Sequence, residues 1–288
     1  MSAKILDGRA LAKDLIAQLK KEVNALQKQT GDVPHLVNAM VGDNSSCCAY
    51  AKSQKRAAQE IGIAYEMLNL PQETTQKDFV ARIVQLNQDK KVNGIMIHKP
   101  FPPQIDYSAA ANLIETNKDL EGINVVNIGR MLLGETKIIP CTPAAVIEHM
   151  DKTGLDIRGK EVVIVGASDI VGKPLGLLLL RRMATVTFCH IATSEAGRLK
   201  EHVERADILV VAVGKANLIK GEWIKEGAVV IDVGINQVGG KIVGDVEFDS
   251  AKKKASFITP VPGGVGPVTV VMLMRNGIEA YKIQKGIK

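Results

Sequence analysis

The amino-acid sequence predicts an α/β protein of two domains, each built on a mainly parallel sheet. Short Val- and Ile-rich runs alternate with segments of helical period, which is the pattern of repeated βαβ units. The 288 residues exceed one ordinary domain, and the prolines near residues 99–103 and 140–143 break the chain before a second βαβ series begins. At 46% hydrophobic and 24% charged residues, the chain can bury full cores without disulfide staples.

Leu11, Leu15, Ile16 and Leu19 recur at helical spacing, so residues 5–23 are expected to form an opening helix. Residues 35–41 read as a strand, 46–61 as a helix, 63–70 as a strand, 75–87 as a helix and 93–98 as a strand. That strand runs into the turn Lys99-Pro100-Phe101-Pro102-Pro103. After Pro140-Cys141-Thr142-Pro143 come a strand (161–165), a helix (172–182), a strand (185–190) and a helical stretch (201–205). Residues 208–213 and 228–233 are two further buried strands, each followed by glycine. Residues 268–284 are helical again and are expected to pack back on the first domain. The expected division is residues 1–119 plus 269–288 against residues 120–268.

The 37 Lys and Arg against 31 Asp and Glu leave a net charge of +6. Only 3% of residues are aromatic, and the densest basic cluster is Lys252-Lys253-Lys254, so no nucleic-acid partner is expected. The charge suits a small polyanionic substrate or a nucleotide phosphate. Cys47, Cys48, Cys141 and Cys189 match neither zinc spacings nor a Cys-x-x-Cys motif. They read as reduced thiols, and no metal is expected. The first thirty residues are charged and amphipathic, and the longest apolar runs fall far short of the ~18 residues of a membrane span. The expectation is a cytoplasmic protein with no membrane partner.

Two segments carry chemistry. In Gly166-Ala-Ser168-Asp-Ile170-Val171-Gly172-Lys-Pro174 a strand ends in glycine and opens onto a helix. A turn glycine lets backbone approach a pyrophosphate, and a helix N-terminus offers free N–H groups. The spacing departs from Gly-x-Gly-x-x-Gly, and a plain strand–helix turn would look similar. In Thr259-Pro260-Val-Pro262-Gly263-Gly264-Val-Gly266-Pro267, prolines and glycines make a rigid loop with exposed backbone just before a helix. Spacing alone leaves a ligand-lining loop and a structural linker evenly matched.

Together with Ile5-Leu-Asp-Gly-Arg9, Val41-Gly-Asp43 followed by Tyr50, Lys118-Asp119, Asn127-x-Gly129, Pro140-Cys-Thr-Pro143, Ile231-Asp-Val-Gly-Ile-Asn236 and Gly244-Asp-Val246, these segments resemble the methylenetetrahydrofolate dehydrogenase/methenyltetrahydrofolate cyclohydrolase family. The resemblance runs along nearly the whole chain. It implies two α/β domains flanking a cleft, the first holding a tetrahydrofolate one-carbon derivative and the second, a Rossmann-type parallel-sheet domain, holding a nicotinamide dinucleotide, usually in a homodimer. Carried over, it places Tyr50 on the folate ring and Gln54, His98 and Glu121 around it as the catalytic set. Asp119 beside that pocket is expected to be structural, and Cys141 a small buried hydrophobe rather than a nucleophile. The loop with Pro262, Gly263 and Gly264 would close over the substrate. Gly166, Ser168, Ile170, Val171, Gly172 and Pro174 would surround the cofactor pyrophosphate, with His190 after the second strand and Gly214, Ile235 and Thr269 toward the nicotinamide.

The departures from the family pattern are more informative. The family's Tyr-x-x-x-Lys is Tyr50 to Gln54 here, and Lys52 and Lys55 point about 160° and 100° away from that face. The family's Gln-Leu-Pro-Leu-Pro turn begins at His98, and its pterin-gripping aspartate is the longer Glu121. Hydride removal needs alignment of two rings, which positioning supplies. Ring opening by water needs proton transfer, which a glutamine cannot perform; such a loss typically costs about 10²–10⁴-fold. The expected activity is therefore oxidation of 5,10-methylenetetrahydrofolate, with weak or absent cyclohydrolase activity. The alternatives are a fully bifunctional enzyme, with His98 or a moved lysine handling the proton, and a non-catalytic or re-specialised folate or nucleotide binder. The arginines that hold a 2′-phosphate in NADP-using members are absent: Ala167 stands in the loop, and Ile191-Ala192 follow His190. NAD is expected over NADP, although no acidic residue stands where NAD sites usually grip the ribose.

Overall fold

The structure, a computed structural model, describes residues 2–42, 45–98 and 100–287, without the side chains of residues 45–49. Asp43, Lys99 and the thiols of Cys47 and Cys48 fall outside it. Among the described residues the strands are β1 (Lys4–Ile5), β2 (His35–Val41), β3 (Ala64–Leu70), β4 (Gly94–Ile97), β5 (Glu161–Val165), β6 (Thr185–Cys189), β7 (Ile208–Val211), β8 (Val229–Asp232), β9 (Asn236–Val238), β10 (Lys241–Val243) and β11 (Phe257–Ile258).

The chain forms two compact units: Lys13–Cys141 with Val270–Lys288, and Met1–Ala12 with Thr142–Thr269. The division expected from sequence misplaces two segments. The first twelve residues go with the second unit because β1 pairs in parallel with β11, Lys4 opposite Phe257 and Ile5 opposite Ile258. The first helix therefore spans Gly8–Thr30 rather than residues 5–23, and starts after Asp7, whose carboxylate accepts the Arg9 and Ala10 N–H groups. Residues 120–141 stay with the first unit. Leu120 N–H donates to Ile95 O at 3.2 Å, and Asn276 Nδ2 donates to Leu120 O and Ile139 O at 2.8 Å each.

In the first unit β2 lies between β3 and β4, all parallel. One face of β2 (Val37, Ala39, Val41) buries Phe79, Ile83 and Leu86 of the helix Gln76–Gln88. Each such side chain contributes about 1.5–3 kcal/mol. Met40, on the other face, packs with Ala51 of the helix Ser45–Ile61 and with Met67 of β3. Asn38 shares that second face by the two-residue repeat of a strand, and a buried polar residue there demands partners.

The second unit carries a parallel sheet in the order β1-β11-β8-β7-β5-β6. Strand order reverses between β5 and β7, so the chain leaves their carboxyl ends in opposite directions. Ligands of open α/β sheets bind at such a point. Periodicity alone missed the helices Tyr107–Leu113, Val125–Leu133 and Cys141–Thr153. The second of these exposes Val125 and Leu133, so its apolar residues do not mark one inner face. Among the described residues no helix is long and apolar enough to cross a membrane.

Candidate functional site

The helix Ser45–Ile61 carries Tyr50 and Gln54 one turn apart, on the same side. Gln54 is fully buried over Asn38. Its Oε1 accepts from Asn38 Nδ2 at 2.9 Å and from the Tyr65 hydroxyl at 2.6 Å, and its Nε2 donates to Met96 Sδ at 3.3 Å. Asn38 Nδ2 also donates to the Tyr65 oxygen at 2.9 Å. Gln54 further hydrogen-bonds the Tyr50 hydroxyl. The amide is thus fully occupied, and it has no proton to exchange at neutral pH. Burial pushes the Tyr65 phenol up to about 12 and the Tyr50 phenol higher still, the latter reinforced by Cys141 and Glu121.

His98 follows β4, its N–H donating to Ala39 O at 3.0 Å. Its ring lies 5.4 Å from that of Tyr50, centroid to centroid, tilted by 45°. The side chain is buried, Nδ1 meets no hydrogen-bond partner, and burial lowers its pKa, so the imidazole is neutral at pH 7. Glu121 is half-buried, its N–H held by Asp119 Oδ1 at 3.1 Å. Asp119 also accepts from Gly122 N–H (3.0 Å), Asn124 N–H (2.9 Å) and Asn127 Nδ2 (3.0 Å), which makes it the brace of this turn. Cys141 donates to Leu120 O at 3.4 Å, and burial raises its thiol well above the ordinary range, unlike a nucleophile. Tyr50, Gln54, His98 and Glu121 therefore gather around one point of the first unit. Sequence reasoning missed Asn38, Tyr65 and Tyr107. The first two sit on strands that read as apolar, and the Tyr107 phenol, raised by burial, faces the carboxylates of Glu121 and Asp119 from a helix too short to show a period.

In the second unit a cavity of about 290 Å³ opens at the ends of β5, β6 and β7, lined by Gly166, Ser168, His190, Ile191, Val213 and Lys215 among others. Gly166 has φ +116°, and a Cβ there would lie 2.2 Å from Ala212 O. A Cβ on Gly172 would lie 1.9 Å from Gly166 O, so only glycine lets turn and helix pack this closely. Ser168 Oγ accepts the Val171 N–H at 3.2 Å, and the helix Gly172–Arg181 starts without a side-chain cap. Lys173 N–H is taken by Ser168 O at 3.0 Å and Pro174 has no N–H, so at most the Gly172 N–H of this first turn, behind the glycine turn, is left for a pyrophosphate. Lys215, a cation at this cavity, follows β7, far along the chain from Ala167, Ile191 and Ala192.

A second cavity of about 220 Å³ joins Ile235, Pro262, Gly263 and Gly264 with Arg9 and Asp232. Asp232 accepts N–H groups from Gly234, Asp245 and Val246 at 2.8–3.1 Å. Asp245 in turn accepts those of Val213, Gly214 and Lys215 at 2.7–2.9 Å. Burial, with Asp245 adding repulsion, pushes the Asp232 carboxyl up to about 6. Ile170, Val171, Gly172, Pro174, Gly214 and Thr269 line neither cavity. Gly172 and Pro174 are buried at the helix start, Ile170 is exposed, and Thr269 Oγ1 bonds back to Val265 O within its own helix at 3.2 Å. Among the described residues no cluster of His, Cys, Asp or Glu could hold a metal.

Two family patterns match the chain: "Tetrahydrofolate dehydrogenase/cyclohydrolase, catalytic domain" over residues 6–121, and "Tetrahydrofolate dehydrogenase/cyclohydrolase, NAD(P)-binding domain" over residues 140–285. A protein of Bacillus pumilus named "Bifunctional protein FolD" is 47% identical over 283 residues, covering 98% of this chain and 99% of that protein. The crystal structure of the bifunctional enzyme FolD, methylenetetrahydrofolate dehydrogenase/cyclohydrolase, from Campylobacter jejuni superposes with TM-score 0.94 at 40% identity, over 98% of this chain and 99% of that one. The Trypanosoma brucei methylenetetrahydrofolate dehydrogenase-cyclohydrolase, solved with NADP and an inhibitor, superposes with TM-score 0.92 at 39% identity, over 98% of each chain.

Proposed function

The chain belongs to the tetrahydrofolate dehydrogenase/cyclohydrolase family, and from that premise we propose that it oxidises 5,10-methylenetetrahydrofolate to the methenyl form, with hydrolysis of the methenyl product as its slower activity. The observation that carries the second half is Gln54: buried, held by Asn38, Tyr65 and Met96, and unable to exchange a proton. In this reading the ring of Tyr50 stacks on the pterin, and Glu121 pairs with the pterin's amino and N–H donors. The loop of Pro262, Gly263 and Gly264 borders the substrate. The uncapped helix after Gly172 and the Ser168 turn hold the dinucleotide pyrophosphate, and His190 stands toward its ribose. The bound nicotinamide supplies the hydride acceptor. The chain's contribution to that step is alignment and exclusion of water, since no proton leaves.

NAD is the proposed cofactor. Ala167, Ile191 and Ala192 offer a 2′-phosphate no charge, and Ile191 lines the cavity itself. Lys215 at the same cavity and the NADP-bound relative favour the opposite choice, so the comparison must be made with both dinucleotides. The names of the relatives likewise favour a second reading, in which both activities are fully kept. One assay separates the readings: absorbance of the methenyl product with NAD and with NADP. Product that accumulates supports the proposal, and product removed as fast as it forms refutes its second half. No product with either dinucleotide refutes it entirely. A homodimer is part of the same proposal, and light scattering checks it.

A further inference from the structure

We propose that His98 is the proton acceptor for water attacking the cationic methenyl carbon, so that the hydrolysis this chain performs runs through an imidazole instead of an amine at position 54. The inference rests on the folate reading above and adds a catalytic residue to it.

Three observations converge on this ring. Gln54 has both amide ends engaged at 2.6–3.3 Å and cannot titrate. His98 is packed on Tyr50, 5.4 Å between ring centres, and so lies beside the surface on which the pterin stacks. Its Nδ1 is buried without a hydrogen-bond partner, which leaves that nitrogen open to accept a proton. The other titratable groups around Tyr50 are weaker candidates. The Tyr50 and Tyr65 phenols and the Cys141 thiol are held protonated by burial, and Glu121 is assigned to the pterin edge. A neutral imidazole is the form that accepts a proton.

The step balances without any redox partner. The water oxygen bonds to the methenyl carbon while one water proton passes to the imidazole. In the collapse of that adduct one carbon–nitrogen bond breaks, the departing nitrogen takes the proton back from the imidazolium, and the adduct's hydroxyl proton leaves to solvent. The product is the N-formyl compound, with one proton released overall.

The test uses the full chain and methenyltetrahydrofolate, with decay measured above the buffer rate. His98→Gln keeps a hydrogen-bonding side chain and should slow enzymatic decay by about 10²-fold or more. His98→Ala should lose it as well and regain it, saturably, when imidazole is added, a response that a structural role would not give. Circular dichroism and thermal melting of both variants establish that they are folded. The inference is overturned if the parent decays the compound no faster than buffer, or if His98→Gln matches the parent. It is equally overturned if folded His98→Ala gains nothing from imidazole. Methylene oxidation by the parent, followed on the same samples, separates these outcomes from failure of the folate reading itself.

Discussion

Replacing Gln54 by lysine asks whether position 54 limits the hydrolytic step. Gln54 is fully buried, and its Oε1 receives two donors, Asn38 Nδ2 at 2.9 Å and the Tyr65 hydroxyl at 2.6 Å. A lysine removes that acceptor. Asn38 Nδ2 keeps the Tyr65 oxygen at 2.9 Å, so the loss centres on the Tyr65 O–H. Asn38 Oδ1, buried and without a partner, becomes an acceptor for the new ammonium. One lost buried partner costs about 1–3 kcal/mol, and one new charge-assisted bond offsets part of it. The variant should therefore fold, melting lower by roughly 2–4 °C for each kcal/mol lost. Burial lowers a lysine's pKa, which raises the fraction able to accept a proton near pH 8. Hydrolysis of methenyltetrahydrofolate should rise by about 10²–10⁴-fold, the usual worth of a general acid–base group. Absorbance decay under substrate excess measures it. A folded variant that still oxidises the methylene substrate but hydrolyses at the parent rate would refute the reasoning, because position 54 would then not be limiting.

Three other perturbations probe the second unit. Ile191→Ser with Ala192→Arg should raise kcat/KM for NADP by roughly 10-fold or more by adding a phosphate partner at the cavity edge, and steady-state kinetics with both dinucleotides would show it. Gly172→Ala would set a Cβ 1.9 Å from Gly166 O and force the turn apart; calorimetric titration should show dinucleotide binding lost while the first unit stays folded. The Asp232 carboxyl is raised from 3.8 to about 6, so the folded state holds its proton more tightly than the unfolded chain. Its contribution to stability is full below pH 4 and is lost as pH rises through 6, amounting to about 3 kcal/mol. Relative to Asp232→Asn, the parent should lose stability as pH rises across that window in urea melts, and a constant difference would count against the shift.

Legibility differed by scale. Most strands of the two parallel sheets could be read because they are short apolar runs, many of them Val- and Ile-rich, that alternate with helical segments. β1 and β11 could not be read: two residues each carry no periodicity, and their partnership spans the length of the chain. That one long-range pair moved the first twelve residues from one unit to the other. The site behaved similarly. Tyr50, Gln54, His98 and Glu121 were visible as departures from a pattern, whereas Asn38 and Tyr65, which fix Gln54, were hidden in strands. Their role depends on parallel register, which sets Asn38 opposite Met67 and Met96, and Tyr65 opposite Leu36, two residues along and on the same face as Asn38. Lys215 was not legible because the cavity draws on three strand ends that lie far apart in the sequence.

The two proton routes make a joint prediction that neither makes alone. If His98 and a lysine at position 54 would serve the same proton, they are alternatives, and combining Gln54→Lys with His98→Gln should leave hydrolysis close to that of Gln54→Lys by itself. If the imidazole instead positions the substrate, the double variant should lose the same factor from the lysine background as His98→Gln loses from the parent. Residues in contact through one shared neighbour rarely act additively, and both groups here touch Tyr50. The sign of the departure therefore distinguishes the cases: near-complete masking means one proton with two possible acceptors, and equal factors mean two separate roles. Measured as a cycle of four proteins under one set of conditions, the result would show whether Gln54 and His98 exchange the chemistry between positions or whether the glutamine simply removed it.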